Sequence, residues 1–124
     1  MSVQVCHCSV MPEMLVALYT SREALARDAG EHGFELPDLS PGDSKALTFS
    51  CPTKWGYTHF VLMGGAHGEK YKILALLAHE AVHVAMDYLR YIGDDRPAEE
   101  ELAYAVEAAS GALFDMYLNR KANR

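Results

Sequence analysis

Residues 79–83 read His-Glu-Ala-Val-His, two imidazoles four residues apart with a carboxylate directly after the first. On a helix, positions four apart share a face, so both rings can reach one ion at about 2.0–2.1 Å. Glu80 points slightly around the helix, where its carboxylate can take a proton from a metal-activated water without filling a coordination position. With 6 His and 10 Glu among 124 residues, a shuffled chain would contain this string about one time in fifty. Context strengthens it, because the string follows the apolar run 73–78, where two histidines and a glutamate are costly to bury without a metal or partners. A zinc site also needs a third protein ligand. The longer pattern with glycine at position 86 and histidine at 89 is excluded by Met86 and Leu89. Glu99, Glu100 and Glu101, 16 to 18 residues beyond His83, leave a His, His, Glu set as the natural reading.

These residues need elements to hold them. The motif lies in the apolar stretch YKILALLAHEAVHVAMDYLRYI, a helix that Gly93 ends. After GDDRP a second helix is predicted, with Pro97 at an early helix position, three glutamates near the positive end of the dipole, and Leu102, Val106, Ala109 and Leu113 at helical spacing. Upstream, VQVCHCSV and MLVALYT read as two short strands joined by a turn, and Thr20 with Glu23 fits a capping box before REALARDAGEHG, stopped at Gly30 or Gly33. FELPDLSPGD is a loop, after which ALTFSC and YTHFVLM look like an antiparallel pair. The expectation is one α+β domain over residues 1–124: a small antiparallel or mixed sheet, one N-terminal helix covering a face of it, and a C-terminal pair of helices.

Composition narrows the function classes. Half of the residues are hydrophobic and 23% charged, which suits a folded domain with a real core. A formal charge of −6 argues against a nucleic-acid or anionic-membrane binder. The one basic cluster, Arg120, Lys121 and Arg124, reads as cations at the C-terminus of the last helix. Cys6, Cys8 and Cys51 cannot all pair within one chain, and no run reaches the roughly 18 apolar residues of a membrane span, so a soluble protein of the reducing cytoplasm is expected.

Other candidate ligands are weaker. On a strand Cys6 and Cys8 point to one face and His7 to the other, which favours core thiols over a metal site. His59 and His67 precede the motif helix and could border the site, and either could stabilise an oxyanion. Asp87, one turn beyond His83, could orient a ligand histidine or close the site as a fourth ligand.

The stretch LLAHEAVHVA followed by EELAYAVE resembles the short metallopeptidase-like proteins often encoded by bacteriophages and prophages, where a LAHExxH helix precedes a helix bearing E-x-x-A-Y. More distantly it is similar to the minimal gluzincins, zincin-like peptidases with a His, His, Glu site. The resemblance covers roughly residues 71 to 107. It implies zinc as cofactor, His79 and His83 as ligands, Glu80 as the catalytic carboxylate and Glu100 as third ligand. Tyr104, one turn beyond Glu100, becomes a candidate donor to a developing oxyanion. In a straight antiparallel hairpin turning near residue 95, the residue level with His83 is instead close to Glu107. Glu100 with Glu107 hydrogen-bonding a ligand histidine is one solution, and Glu99 and Glu101 are then solvated carboxylates. The leading expectation is thus a zinc-dependent peptidase of gluzincin type acting on a peptide or small amide, with the strand Tyr57 to Met63 bordering its cleft. The alternatives are a non-hydrolytic phage or host-interaction module with a structural zinc, and a metal-free packing domain.

Overall fold

The computed structural model describes residues 5–7, 11, 13–39, 46–63 and 68–122, with the backbone alone at 5–7 and 120–122. The chain is α+β, running β1 (Val5–His7), β2 (Leu15–Tyr19), α1 (Arg22–His32), β3 (Ala46–Thr53), β4 (Gly56–Met63), α2 (Lys70–Tyr91) and α3 (Glu99–Ala122). The strands form one mixed sheet in the order β1-β2-β4-β3. Both expected antiparallel pairs are present, and a parallel pairing of β2 with β4, which sets Ala17 opposite Phe60, joins them into a single sheet. That arrangement makes β4 a central strand and leaves β3 at an edge.

Period-two alternation sends successive side chains to opposite faces and gives the sheet two cores. Met14, Val16, Leu18, Val61 and Met63 pack beneath α2 and α3 with Leu77, Val84, Ala109 and Leu113. Ala17, Tyr19, Phe60 and Leu62 face the other way and are covered by Leu25 and Ala29 of α1 together with Phe34. Along α2 the buried positions Ile73, Leu77, Glu80, Ala81, Val84, Ala85, Tyr88 and Leu89 follow the helical repeat, so the helix lies flat on the sheet. No helix among the described residues is long and apolar enough to cross a membrane.

Helix ends refine two expectations. Ser21, not Thr20, caps α1: its backbone is extended (φ −140°, ψ 126°) and its hydroxyl accepts from the Ala24 amide at 3.2 Å. Glu23 then stands one position too early to close a capping box and instead accepts from the Ser21 hydroxyl. Gly33, at φ 71°, ends α1 with its amide on the Ala29 carbonyl. Gly93 (φ 88°) closes α2 in a Schellman turn, the Asp94 amide reaching the Leu89 carbonyl and the Gly93 amide the Arg90 carbonyl. Pro97 lies just ahead of α3, not inside it, because the helical bonding starts at the Ala98 carbonyl, which accepts from Leu102.

Candidate metal centre

Within α2, the spacing of four puts the His79 and His83 rings side by side, their centroids 5.1 Å apart and their planes at 69°. His79 is 67% exposed, whereas Glu80 between them turns toward the sheet and is buried. A buried carboxylate needs partners, and Glu80 has one on the edge strand: the Thr48 hydroxyl donates to its Oε1 at 2.8 Å. Its second oxygen, Oε2, lies 3.8 Å from His79 Nε2. The donor atoms of His79, Glu80 and His83 all fall within 4.8 Å of one another.

This triplet opens on a cleft of about 440 Å³ between α2 and β3. Residues 46–50 form the strand wall, and His79, Glu80, His83, Asp87 and Arg90 form the helix wall. β4, which the sequence suggested as the cleft border, does not line it. Strand β4 pairs on both sides, with β2 and β3, so its backbone groups are consumed within the sheet, while β3 has no strand beyond it among the described residues. An edge strand keeps a row of free amides and carbonyls.

Asp87 closes the far end of the helix wall, and its partner is not a histidine of the motif. Its Oδ2 lies 2.9 Å from Nδ1 of His59, a β4 residue only 1% exposed, and its Oδ1 lies 3.9 Å from the Arg90 guanidinium. Among the described residues the buried Oδ2 and Nδ1 find no other partner. Burial pushes the His59 imidazole below its ordinary value, and Asp87 beside it pulls only partly the other way. His59 therefore anchors the cleft wall from behind and offers no donor to a substrate. The register explains its place: His59 is opposite Ser50 on β3, on the sheet face that α2 covers. The alternation of YTHFVLM carried that signal, since His59 shares parity with the core residues Val61 and Met63. Thr48, which the sequence reading missed, is found the same way, two residues from Ser50 on the same face.

The glutamates of α3 do not reach this centre. Glu99 and Glu100 stand exposed in the first turn of α3, Glu107 is exposed and Glu101 half-buried. None belongs to the group around His79 and His83, and among the described residues α3 contributes nothing to the cleft lining. Tyr104 is 48% exposed and likewise outside it. The reason lies in the layer order: α3 packs on α2 and over β2, whereas the His79–His83 face of α2 looks toward β3, two strands away on α2's other side. Glu100 as third ligand and Tyr104 as oxyanion donor are thus not brought together with the histidines. His67 and the side chains of Cys6, His7, Cys8, Arg120, Lys121 and Arg124 lie outside the described residues, and Cys51 is a free thiol, with burial raising its pKa. No protein-family model, curated protein or solved structure matches the chain.

Proposed function

We propose that this chain is a zinc-dependent peptidase whose catalytic apparatus is concentrated on α2 and whose substrate lies along β3. The observation that carries the reading is the convergence of His79, Glu80 and His83 within 4.8 Å at the wall of a cleft bounded by an open strand edge. Two imidazoles are donors suited to a borderline divalent ion, zinc above all, and the carboxylate between them in the chain is suited to act as a base beside it. His79 and His83 would hold it, and the chemistry zinc supplies is Lewis-acid polarisation of a carbonyl and acidification of water.

The chain's own residues account for the rest. Thr48 engages Oε1 of Glu80, so Oε2 is the oxygen left to act. Glu80 takes the proton of the attacking water on that atom and hands it to the amine as the amide bond breaks. An extended peptide adds to β3 as a further strand, its backbone satisfied by the free edge and its scissile bond opposite Thr48 and Glu80. A cleft of about 440 Å³ fits a short peptide segment or small amide.

A second reading has its own support. Among the described residues, the one carboxylate grouped with both histidines is Glu80 itself. If Glu80 serves as the third ligand, no base remains and the centre is a non-hydrolytic metal-binding site. Elemental analysis of zinc-reconstituted protein, with turnover of a quenched fluorescent peptide library, separates the two. Under the peptidase reading, His79→Ala loses the zinc, while Glu80→Gln keeps it and loses at least about a hundredfold in turnover. Glu100→Ala keeps zinc and activity. Loss of zinc in Glu80→Gln selects the second reading, and a wild-type chain that retains no zinc sinks both.

A further inference from the structure

On the opposite face of the sheet from the cleft, α1 carries a second convergence of ligand-type side chains. Asp28, Glu31 and His32 occupy positions i, i+3 and i+4, so they share one side of the helix, and their donor atoms lie within 4.8 Å of one another. The buried member is out of place as a simple core residue. Asp28 is 0% exposed, its Oδ2 accepts from the Tyr19 hydroxyl at 2.8 Å, and its Oδ1 is buried without a hydrogen-bond partner among the described residues. A carboxylate oxygen left unmatched in the interior is costly, and a cation compensates it directly. Tyr19 fixes the carboxyl group, leaving Oδ1 as the oxygen free to bind.

Its two companions are accessible. Glu31 is exposed, and His32 is half-buried, its ring edge-on to the indole of Trp55 at 5.0 Å between centroids. In a tetrahedral site with bonds near 2.1 Å the donors sit about 3.4 Å apart, a separation that rotation of the exposed Glu31 side chain can supply. Two carboxylates with one imidazole suit zinc and its first-row neighbours better than calcium or magnesium, which favour oxygen alone.

We propose that Asp28, Glu31 and His32 form a divalent-cation site of the zinc class, separate from the His79–His83 centre. The site stands on α1 and the aromatic core, so it is independent of any reaction in the cleft.

Trp55 is the single tryptophan of the sequence and reports on His32 directly. The test titrates Co²⁺, a paramagnetic quencher, into the full-length His79→Ala/His83→Ala double variant, which removes the other imidazole pair, and follows Trp55 emission. The expected result is saturable quenching at one ion per chain, reversed by Zn²⁺. In that background Asp28→Asn, which preserves the shape of the side chain and an acceptor for Tyr19, weakens binding by about tenfold or more, as loss of a charged ligand should. Glu31→Gln, at an exposed position that leaves the core untouched, weakens it too and carries the test should Asp28→Asn fail to fold by circular dichroism. Quenching that is absent, that never saturates, or that is unchanged in Glu31→Gln overturns the site.

Discussion

Each face of the sheet carries a hydrophobic core, but on β3 and β4 the two faces differ in what surrounds it. Beneath α1, Phe60 is stacked between Phe34 and Phe49, each at 5.0 Å, with Tyr19 at 6.2 Å. Beneath α2, strands β3 and β4 present Thr48, Ser50, Tyr57 and His59, all engaged in polar contacts, beside the apolar Val61 and Met63. The difference teaches where a small fold can place chemistry. Helix α3 lies over β2 and α2 over β3 and β4, and the polar residues gather where the cleft opens between α2 and β3, a margin at which they are cheaper to bury than in the middle.

Adjacent positions on facing strands can break that contrast. Phe60→Ala removes the centre of the aromatic cluster and is expected to cost about 3–5 kcal/mol, read as a lowered urea midpoint with an unchanged slope. Thr48→Val, on the other face, deletes one hydrogen bond to a carboxylate and should cost about 1.5–3 kcal/mol. If Thr48→Val destabilises as much as Phe60→Ala, the cleft face is as closely packed as the aromatic one, and the distinction fails.

Much of this contrast was legible from the residues. The apolar runs MLVALYT and YTHFVLM mark strands covered on both faces, and Gly33 and Gly93 mark the ends of α1 and α2. Strand order was not legible, because the parallel pairing of β2 with β4 depends on contacts between segments about forty residues apart, and local patterns hold no information on which strand becomes an edge. The consequence fell on the site. His79, Glu80 and His83 converge because helical spacing alone brings them together, whereas Glu100 and Tyr104 depended on which side of α2 the next helix would choose. Asp28 is illegible for a related reason: in REALARDAGEHG it looks like a solvated charge, and only packing of α1 on the sheet face that bears Tyr19 buries it.

Two histidines extend the comparison into pH. His79 is open to solvent, but His59 is buried against Asp87. Burial holds His59 neutral to lower pH than an unfolded imidazole. Below about pH 6.5 the unfolded chain therefore binds a proton that the folded chain does not, and stability falls with decreasing pH. Above that value both states are neutral at this position and it contributes no slope. The fall can reach about 1.4 kcal/mol per pH unit. Chemical denaturation of wild type and His59→Gln between pH 5 and 8 should show that component only in wild type. An identical slope in the variant would mean that other groups set the acid limit.

The smallest effect is expected where the polar face ends. Tyr57 and Tyr91 stack at 4.1 Å with planes 1° apart, joining the start of β4 to the last turn of α2, and the Tyr57 hydroxyl meets that of Ser50 at 2.9 Å. This is the one aromatic stack on the cleft face among the described residues, and it differs from the Phe60 cluster in exposure, for Tyr91 remains 57% accessible. A half-solvated ring gains less from burial, so Tyr91→Ala should cost about 0.5–1.5 kcal/mol, well below Phe60→Ala. Tyr91→Phe retains the ring and should stay within about 0.5 kcal/mol of wild type. Because the stack ties α2 to β4 next to Arg90 and Ser50, its loss should also raise amide exchange in the last turn of α2 while leaving the Phe60 side protected. Equal exchange on both faces would show that the two cores open as one unit and that the cleft margin has no independent mobility.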